Sequence, residues 1–376
     1  MFSIEKNNAA QGKNRKKIGI LTFQRAVNYG AALQMYALQK IVKDLGAEAE
    51  IIDYDCLRIS EGYKEFSVKA LYHPRLFVHT IFNYTIQNSR NKKFAEFAKK
   101  YMTFSMLMDK AGLAKAADMY DAYIVGSDQV WNPLITGGDT AYFLDFVKED
   151  SKKFSYAASF GVSAWPQGFS IPVKKLLESF ASIATREKTG AGIVRSVTDK
   201  TPPLTVSVDP VFLLGREGWE RFVKPAPSQR PYLFIYVVGS GNQEEIYRCA
   251  EKLAKEKNLD IINLRYNRSL RNKKYAVGHV VYTAGPDEFV SYIGNAACVV
   301  TDSFHATAFS TIFHKEMYVS KPGKVSSRIT DLFDVAGIEG RFIGESHKAL
   351  SWDIVDQNLK KARADSLTYL KHIVEG

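Results

Sequence analysis

What most limits the fold of this chain is how its apolar runs end. KIGILTF (17–23) is short, continuous and apolar, as a strand buried on both faces must be. NYGAALQMYALQKIVKDLG (28–46) follows at once, with Leu33, Tyr36, Ala37, Ile41 and Leu45 near helical spacing and Gly46 suited to a C-terminal cap. EAEIIDYD (48–55) is strand-like again. A strand, a helix and a strand within 55 residues form a βαβ unit, and such a crossover is right-handed.

The pattern recurs. AYIVGSDQVWN (122–132), KFSYAASFG (153–161), ASIATREKTGAGIVRSV (181–197) and LTVSVDPVFLL (204–214) each read as a strand running into a loop or helix. A proline-rich stretch, REGWERFVKPAPSQRP (216–231), reads as a linker. After it the alternation restarts with PYLFIYVVG, EEIYRCAEKLAKEK and LDIINLR. A chain of 376 residues is long enough for two domains. The expectation is α/β, with two Rossmann-like domains and an inter-domain cleft. They would span 17–215 and 232–376, behind a disordered basic tail at 1–16. The final helix, from about residue 351, would pack back across the boundary. In such sheets ligands sit beyond the C-terminal ends of the strands, so each strand-end loop is a candidate cleft wall.

Bulk properties exclude several classes. The net charge of +11 favours an anionic partner. The cations are dispersed rather than gathered in a stripe, which argues against nucleic acid. Three widely spaced cysteines give neither a disulfide framework nor a metal site, and point to a reducing cytoplasm. No run of about 18 apolar residues exists to cross a membrane. The apolar and basic region 66–102 suits either a packed aromatic face with solvated lysines or contact with an acceptor at an anionic membrane surface.

Five strand ends carry polar clusters. Asn28 and Gly30 open a helix whose N–H groups suit an anion, or simply cap a turn. In GSDQVWN, Trp131 offers a sugar-stacking ring, with Asp128, Gln129 and Asn132 to hold hydroxyls; the other reading is a capped loop over a core tryptophan. Arg186 suits a carboxylate or phosphate, or pairs with Glu187 at the surface. VVTDSFHATAFSTIF (299–313) places His305 in the first turn of a helix. There the dipole lowers and Asp302 raises the imidazole pKa, unless His305 is only a cap or core residue. Lys315, Lys321, Lys324 and Arg328 gather before another helix as an anion pocket or a solvated loop.

Taken in order, NYGAALQMYAL, VGSDQVWN, YAASFG, ATREKTG, SVDPVFLL, TDSFHATAFSTIF and SSRITDLF resemble the polysaccharide pyruvyl transferase family over residues 17–336. The resemblance implies a GT-B-like fold. It also implies transfer of an enolpyruvyl-derived group from phosphoenolpyruvate to a sugar of a surface polysaccharide or its lipid-linked precursor, giving a pyruvate ketal. In the better-known branch a motif reads Arg-Leu-His. His305 matches its histidine, while Ser303 stands where its arginine would be. Arg186 matches another arginine of the donor site. On this reading His305 is the acid/base and Asp302 tunes it. Arg186, Arg328, Lys321, Ser303, Asn28 and Gly30 serve the donor. Asp128, Gln129, Trp131 and Asn132 serve the acceptor. Phosphoenolpyruvate is a substrate, and no metal or other cofactor is called for. The protein would work in the cytoplasm, at the inner face of the membrane. The competing readings are a sugar-nucleotide glycosyltransferase of the same architecture and a basic binding protein for anionic glycan or nucleic acid.

Overall fold

The computed structural model describes residues 15–56, 58–59, 74–239, 241–267, 273–321, 328–347 and 349–376, with the backbone alone at 74–81. The expected basic tail therefore lies outside the described residues up to position 14. Lys16, at its end, is anchored, donating from Nζ to the Ile373 carbonyl at 2.8 Å. Lys324 and the two serines ahead of Arg328 also lie outside.

The first half builds a parallel sheet ordered β2-β1-β3-β4, from β1 (Lys17–Leu21), β2 (Glu48–Ile51), β3 (Ala122–Val125) and β4 (Lys153–Ser155). The pair β5 (Ile183–Thr185) and β6 (Leu204–Val206) joins its edge through bridges Phe154 to Ser182 and Ala158 to Thr185. The second half builds another parallel sheet, β11-β10-β7-β8-β9. Its strands are β7 (Tyr232–Tyr236), β8 (Asp260–Leu264), β9 (His279–Val281), β10 (Cys298–Thr301) and β11 (Glu316–Val319). Of the strands that sit mid-sheet, β1, β3, β7 and β10 are apolar runs buried along almost their whole length, while β8 is buried only over its last three residues.

In each sheet the chain reverses its direction of travel once, between β1 and β3 and between β7 and β10. Loops on the two sides of such a point diverge and leave a crevice. The loops are 22–28 and 126–132 in one sheet, and 237–239, 241–242 and 302–303 in the other.

The two crevices face each other, and the contact is extensive. Tyr29, the first residue of the helix Tyr29–Asp44, stacks on Phe289 of the second half with centroids 4.9 Å apart. Its hydroxyl donates to the Ala284 carbonyl at 3.1 Å. Lys93, on the helix Pro74–Tyr101, pairs with Glu288 at 2.7 Å. One hydrophobic cluster runs through both halves. The stretch 216–231 is not a plain linker. It opens within the helix Gly215–Glu220, where Trp219 is fully buried and donates from Nε1 to the Val211 carbonyl at 2.7 Å. The last helix, Trp352–Glu375, returns to the first half, where Tyr369 donates to the Ser155 carbonyl at 2.9 Å. No helix among the described residues is long and apolar enough to cross a membrane.

Candidate active site

The end of β5 turns Arg186 inward, and the end of β6 brings Asp209 beneath it. Asp209 caps the short helix Pro210–Leu213 through Oδ1, which accepts from Val211 N at 3.1 Å. That leaves Oδ2 for a hub. It accepts from Arg186 Nη1 at 2.9 Å and from Ser127 Oγ at 3.4 Å, and it lies 3.5 Å from His305 Nε2. His305 comes from the other half, in the first turn of the helix Phe304–Ile312. Its ring lies against Gly30, so close that a Cβ there would fall 1.9 Å from Nδ1. The two crevices therefore meet at His305.

Arg186 is fully engulfed, its side chain 2% exposed, with Asp128 at 3.6 Å, Glu187 at 3.7 Å and Asp209 at 2.9 Å. Its guanidinium also lies over the Phe304 ring, 4.7 Å from the centroid. Burial alone would lower the arginine pKa, but the three carboxylates outweigh it and hold the charge in place. Burial would also raise the Asp209 pKa, yet His305 and Arg186 keep its carboxyl well below the usual range. Burial pushes Glu187 up, against the pull of Arg186 and of Ser159, whose Oγ donates at 2.6 Å. Four buried atoms in this cluster have no hydrogen-bond partner: Arg186 Nε and Nη2, Glu187 Oε2 and His305 Nε2. Each faces a partner just beyond hydrogen-bond reach: Arg186 Nε lies 3.7 Å from Glu187 Oε2, Nη2 3.6 Å from Asp128 and His305 Nε2 3.5 Å from Asp209, so the cluster is held by charge with part of its hydrogen-bonding capacity unmet.

Two chambers open beside the cluster and share the walls Phe304 and Arg328. The smaller, about 120 Å³, has Arg186, Asp209, Asp331 and Asp365 among its polar lining. The larger, about 410 Å³, lies at the switch point of the second sheet and is lined by Gly239, Asn242, Asp302, Ser320 and Lys321. Burial and the nearby Arg186 both press the Arg328 pKa downward.

Several sequence expectations change against this geometry. Asp302 does not partner His305. Its oxygens accept from Val238 N at 2.7 Å and Gly239 N at 2.8 Å, tying the β10 loop to the end of β7. Burial leaves its pKa above the usual carboxyl value, against the pull of these N–H groups. Trp131 offers no platform to a sugar. The ring is fully buried between Phe143, Phe160 and Phe180, and Nε1 donates to the Tyr142 carbonyl at 2.9 Å. Asn132 caps the helix Pro133–Thr136, and its amide donates to Gln129 at 3.0 Å, so these two side chains hold the loop. Asp128 serves Arg186 from a left-handed backbone at φ 79°. Asn28 and Ser303 are N-caps, accepting from Ala31 N at 3.1 Å and Ala306 N at 3.4 Å. Lys321 stands at the larger chamber, paired with Glu345 at 3.1 Å. The Arg186–Glu187 pair is a buried one, not a surface one. Asp209 is the member that sequence reasoning missed, although it stands within LTVSVDPVFLL where the strand ends.

A family model described as polysaccharide pyruvyl transferase matches residues 28–319. The chain belongs to that family. The match runs from the N-cap of the Gly30 helix to the end of β11, so it takes in Arg186, Asp209 and His305 and stops short of Arg328. No curated protein matches the chain. Among solved structures, the S. aureus MnaA–UDP co-structure is similar with a TM-score of 0.52 at 13% identity, over 96% of this chain and 91% of that one. A UDP-GlcNAc 2-epimerase from Neisseria meningitidis, bound to UDP-GlcNAc, is similar with a TM-score of 0.50 at 9% identity, over 96% and 93%. At such identities the likeness concerns the fold, which is the two-domain, Rossmann-like GT-B arrangement.

Proposed function

We propose that this transferase moves the enolpyruvyl-derived group of phosphoenolpyruvate onto two hydroxyls of a sugar, forming a pyruvate ketal. The acceptor would be a unit of a surface polysaccharide or its lipid-linked precursor, met in the cytoplasm at an anionic membrane surface. The observation that carries the reading is the His305–Asp209–Arg186 hub, with its open valences, beside a chamber that holds Arg328 and Lys321. The donor bears a carboxylate and a phosphate. The larger chamber suits it best, because Asp302, its acidic residue, already has both oxygens on backbone N–H groups. Arg186 supports this chamber from behind the Phe304 ring.

The proton inventory is simple. The enol ether is protonated at its methylene carbon, and a sugar hydroxyl attacks the cationic central carbon. Phosphate leaves, and the second hydroxyl closes the ring. Two hydroxyl protons are released; one replaces the proton given to the carbon and the other departs on phosphate. A single group that gives a proton and takes one back suffices, and the sum closes without metal or redox chemistry. His305 is that group, oriented by Asp209. Its ring is shut between Gly30 and Asp209, so the reading includes a small opening at Phe304 or Gly30 when the donor binds.

The GT-B fold favours one competing reading, a glycosyltransferase using a nucleotide sugar. Calorimetry and thermal unfolding with phosphoenolpyruvate against a set of nucleotide sugars separate the two. The incubation that follows pairs phosphoenolpyruvate with lipid-linked and aryl glycosides, scored by phosphate release and a ketal product in the mass spectrum. Stabilisation by phosphoenolpyruvate with ketal formation is expected. Stabilisation by a nucleotide sugar alone would overturn the proposal.

A further inference from the structure

The loop expected to hold the acceptor, 126–132, lines neither chamber, and its tryptophan is core. The acceptor therefore needs another place, and the smaller chamber has the chemistry for it. Arg186 lines that chamber, and its Nε and Nη2, which lie 3.7 Å from Glu187 and 3.6 Å from Asp128, make no hydrogen bond. Within the same chamber stand the carboxylates of Asp209, Asp331 and Asp365. A hydroxyl accepts one hydrogen bond and donates another, so it satisfies a guanidinium N–H and a carboxylate at once. A phosphate or carboxylate oxygen only accepts, and here it would face three acids. Ser207 and Arg328 complete the polar lining, and the rest of the wall is apolar and aromatic, with Phe212, Phe304, Val206 and Leu332. Such a wall matches the C–H face of a sugar ring. Phe304 and Arg328 belong to both chambers, so a diol in one meets a donor in the other at that partition.

We infer that the smaller chamber is the acceptor site, and that it takes the neutral diol of a hexopyranose while the anionic donor occupies the larger one. The inference rests on the transferase reading for the identity of the donor. It makes Asp365, on the exposed side of the last helix, a residue that holds acceptor hydroxyls. Ala362, one turn earlier on the same helix, faces the same space.

The test uses the whole chain and two independent readouts. Saturation-transfer NMR reports binding of methyl glucosides, galactosides and mannosides, each with and without phosphoenolpyruvate present. Calorimetry reports binding of phosphoenolpyruvate. Asp365→Asn is at the surface and should fold normally. Ala362→Phe fills the chamber, and its far-ultraviolet dichroism and melting curve establish that it is folded. Expected is a hexoside signal with the parent, weakened about tenfold by Asp365→Asn, as befits one hydrogen bond to a charged group. The signal disappears in Ala362→Phe, and neither variant changes phosphoenolpyruvate binding. Lys321→Ala should do the reverse, weakening phosphoenolpyruvate and sparing the hexoside. The inference is overturned if no hexoside binds the parent, if the signal survives in folded Ala362→Phe, or if phosphoenolpyruvate affinity falls in step with the hexoside signal. If the hexoside pattern holds while phosphoenolpyruvate does not bind the parent, the site stands and the pyruvyl transfer reading falls.

Discussion

Gly30 and His305 come from opposite halves of the chain, and no side chain fits between them. A Cβ on Gly30 would lie 1.9, 2.3 and 2.4 Å from three atoms of the imidazole. Ordinary carbon contacts are near 3.5 Å, so the ring or the helix must give way by roughly 1.5 Å. Alanine is otherwise welcome there, because Gly30 lies in the first turn of a helix, where alanine is a good former. Gly30→Ala therefore isolates one clash, worth about 1–3 kcal/mol of overpacking. His305→Ala alone leaves a cavity. The double variant places the new methyl in the space the ring vacated, so its cost should be less than the sum of the two. The expected coupling is about 1–3 kcal/mol, read from urea unfolding of the four proteins of the cycle. Nitrogen-15 NMR of the imidazole should also show His305 displaced in Gly30→Ala. Additive energies with an undisturbed imidazole would refute the contact, and with it the meeting of the two crevices at His305.

Other outcomes follow from the same hub. Arg186→Ala strands Asp128, Glu187 and Asp209 in the interior and should cost about 3–5 kcal/mol in urea unfolding. Arg186→Lys should rescue little, because one ammonium cannot replace a fork that meets three carboxylates; a variant as stable as the parent would show the cluster to be unimportant to the fold. Asp209 has a folded pKa below its unfolded value of about 4, so its stabilisation is present above that pH and drains away as pH falls further. The gap in unfolding free energy between the parent and Asp209→Asn should hold steady near pH 5 and shrink below about pH 4; a gap that grows on acidification contradicts the assignment. Trp131→Ala should lose about 3–5 kcal/mol of stability, whereas Trp131→Phe should leave the acceptor KM unchanged; a raised KM in the second variant would return the ring to the acceptor site.

Much of the fold was legible because its signals are local. KIGIL, AYIV, YLFIY and CVVT are short runs apolar on both faces, as the middle strands of covered parallel sheets must be. Asn28 and Ser303 announced helix starts by residue type and proved to be caps. The pairing inside the site was not local. Asp302, three residues before His305, looked like its partner, but the strand-to-helix turn sends that carboxylate toward Val238 and Gly239. The true neighbour, Asp209, arrives from another strand of the other half. An Asp-Pro pair after a strand reads as a helix cap, and Asp209 is one; nothing in its flanks tells that its second oxygen serves Arg186 and His305. Trp131 misled in the opposite way, since the polar residues around it turn inward, Asp128 to Arg186 and Asn132 to cap the next helix, rather than outward to a ligand.

The transfer itself is tested most directly by running the reaction in deuterium oxide with carbon-13-labelled phosphoenolpyruvate and an aryl glycoside, followed by carbon-13 and phosphorus-31 NMR. If His305 protonates the methylene carbon and takes its next proton from exchangeable sites, the product is a ketal whose methyl group carries a deuteron, formed in step with inorganic phosphate. The same mixture with His305→Gln should still bind donor and yield about 10²–10⁴-fold less product. Phosphate released without a ketal carbon, a ketal with an undeuterated methyl, or a His305→Gln variant turning over at the parental rate would each contradict the mechanism.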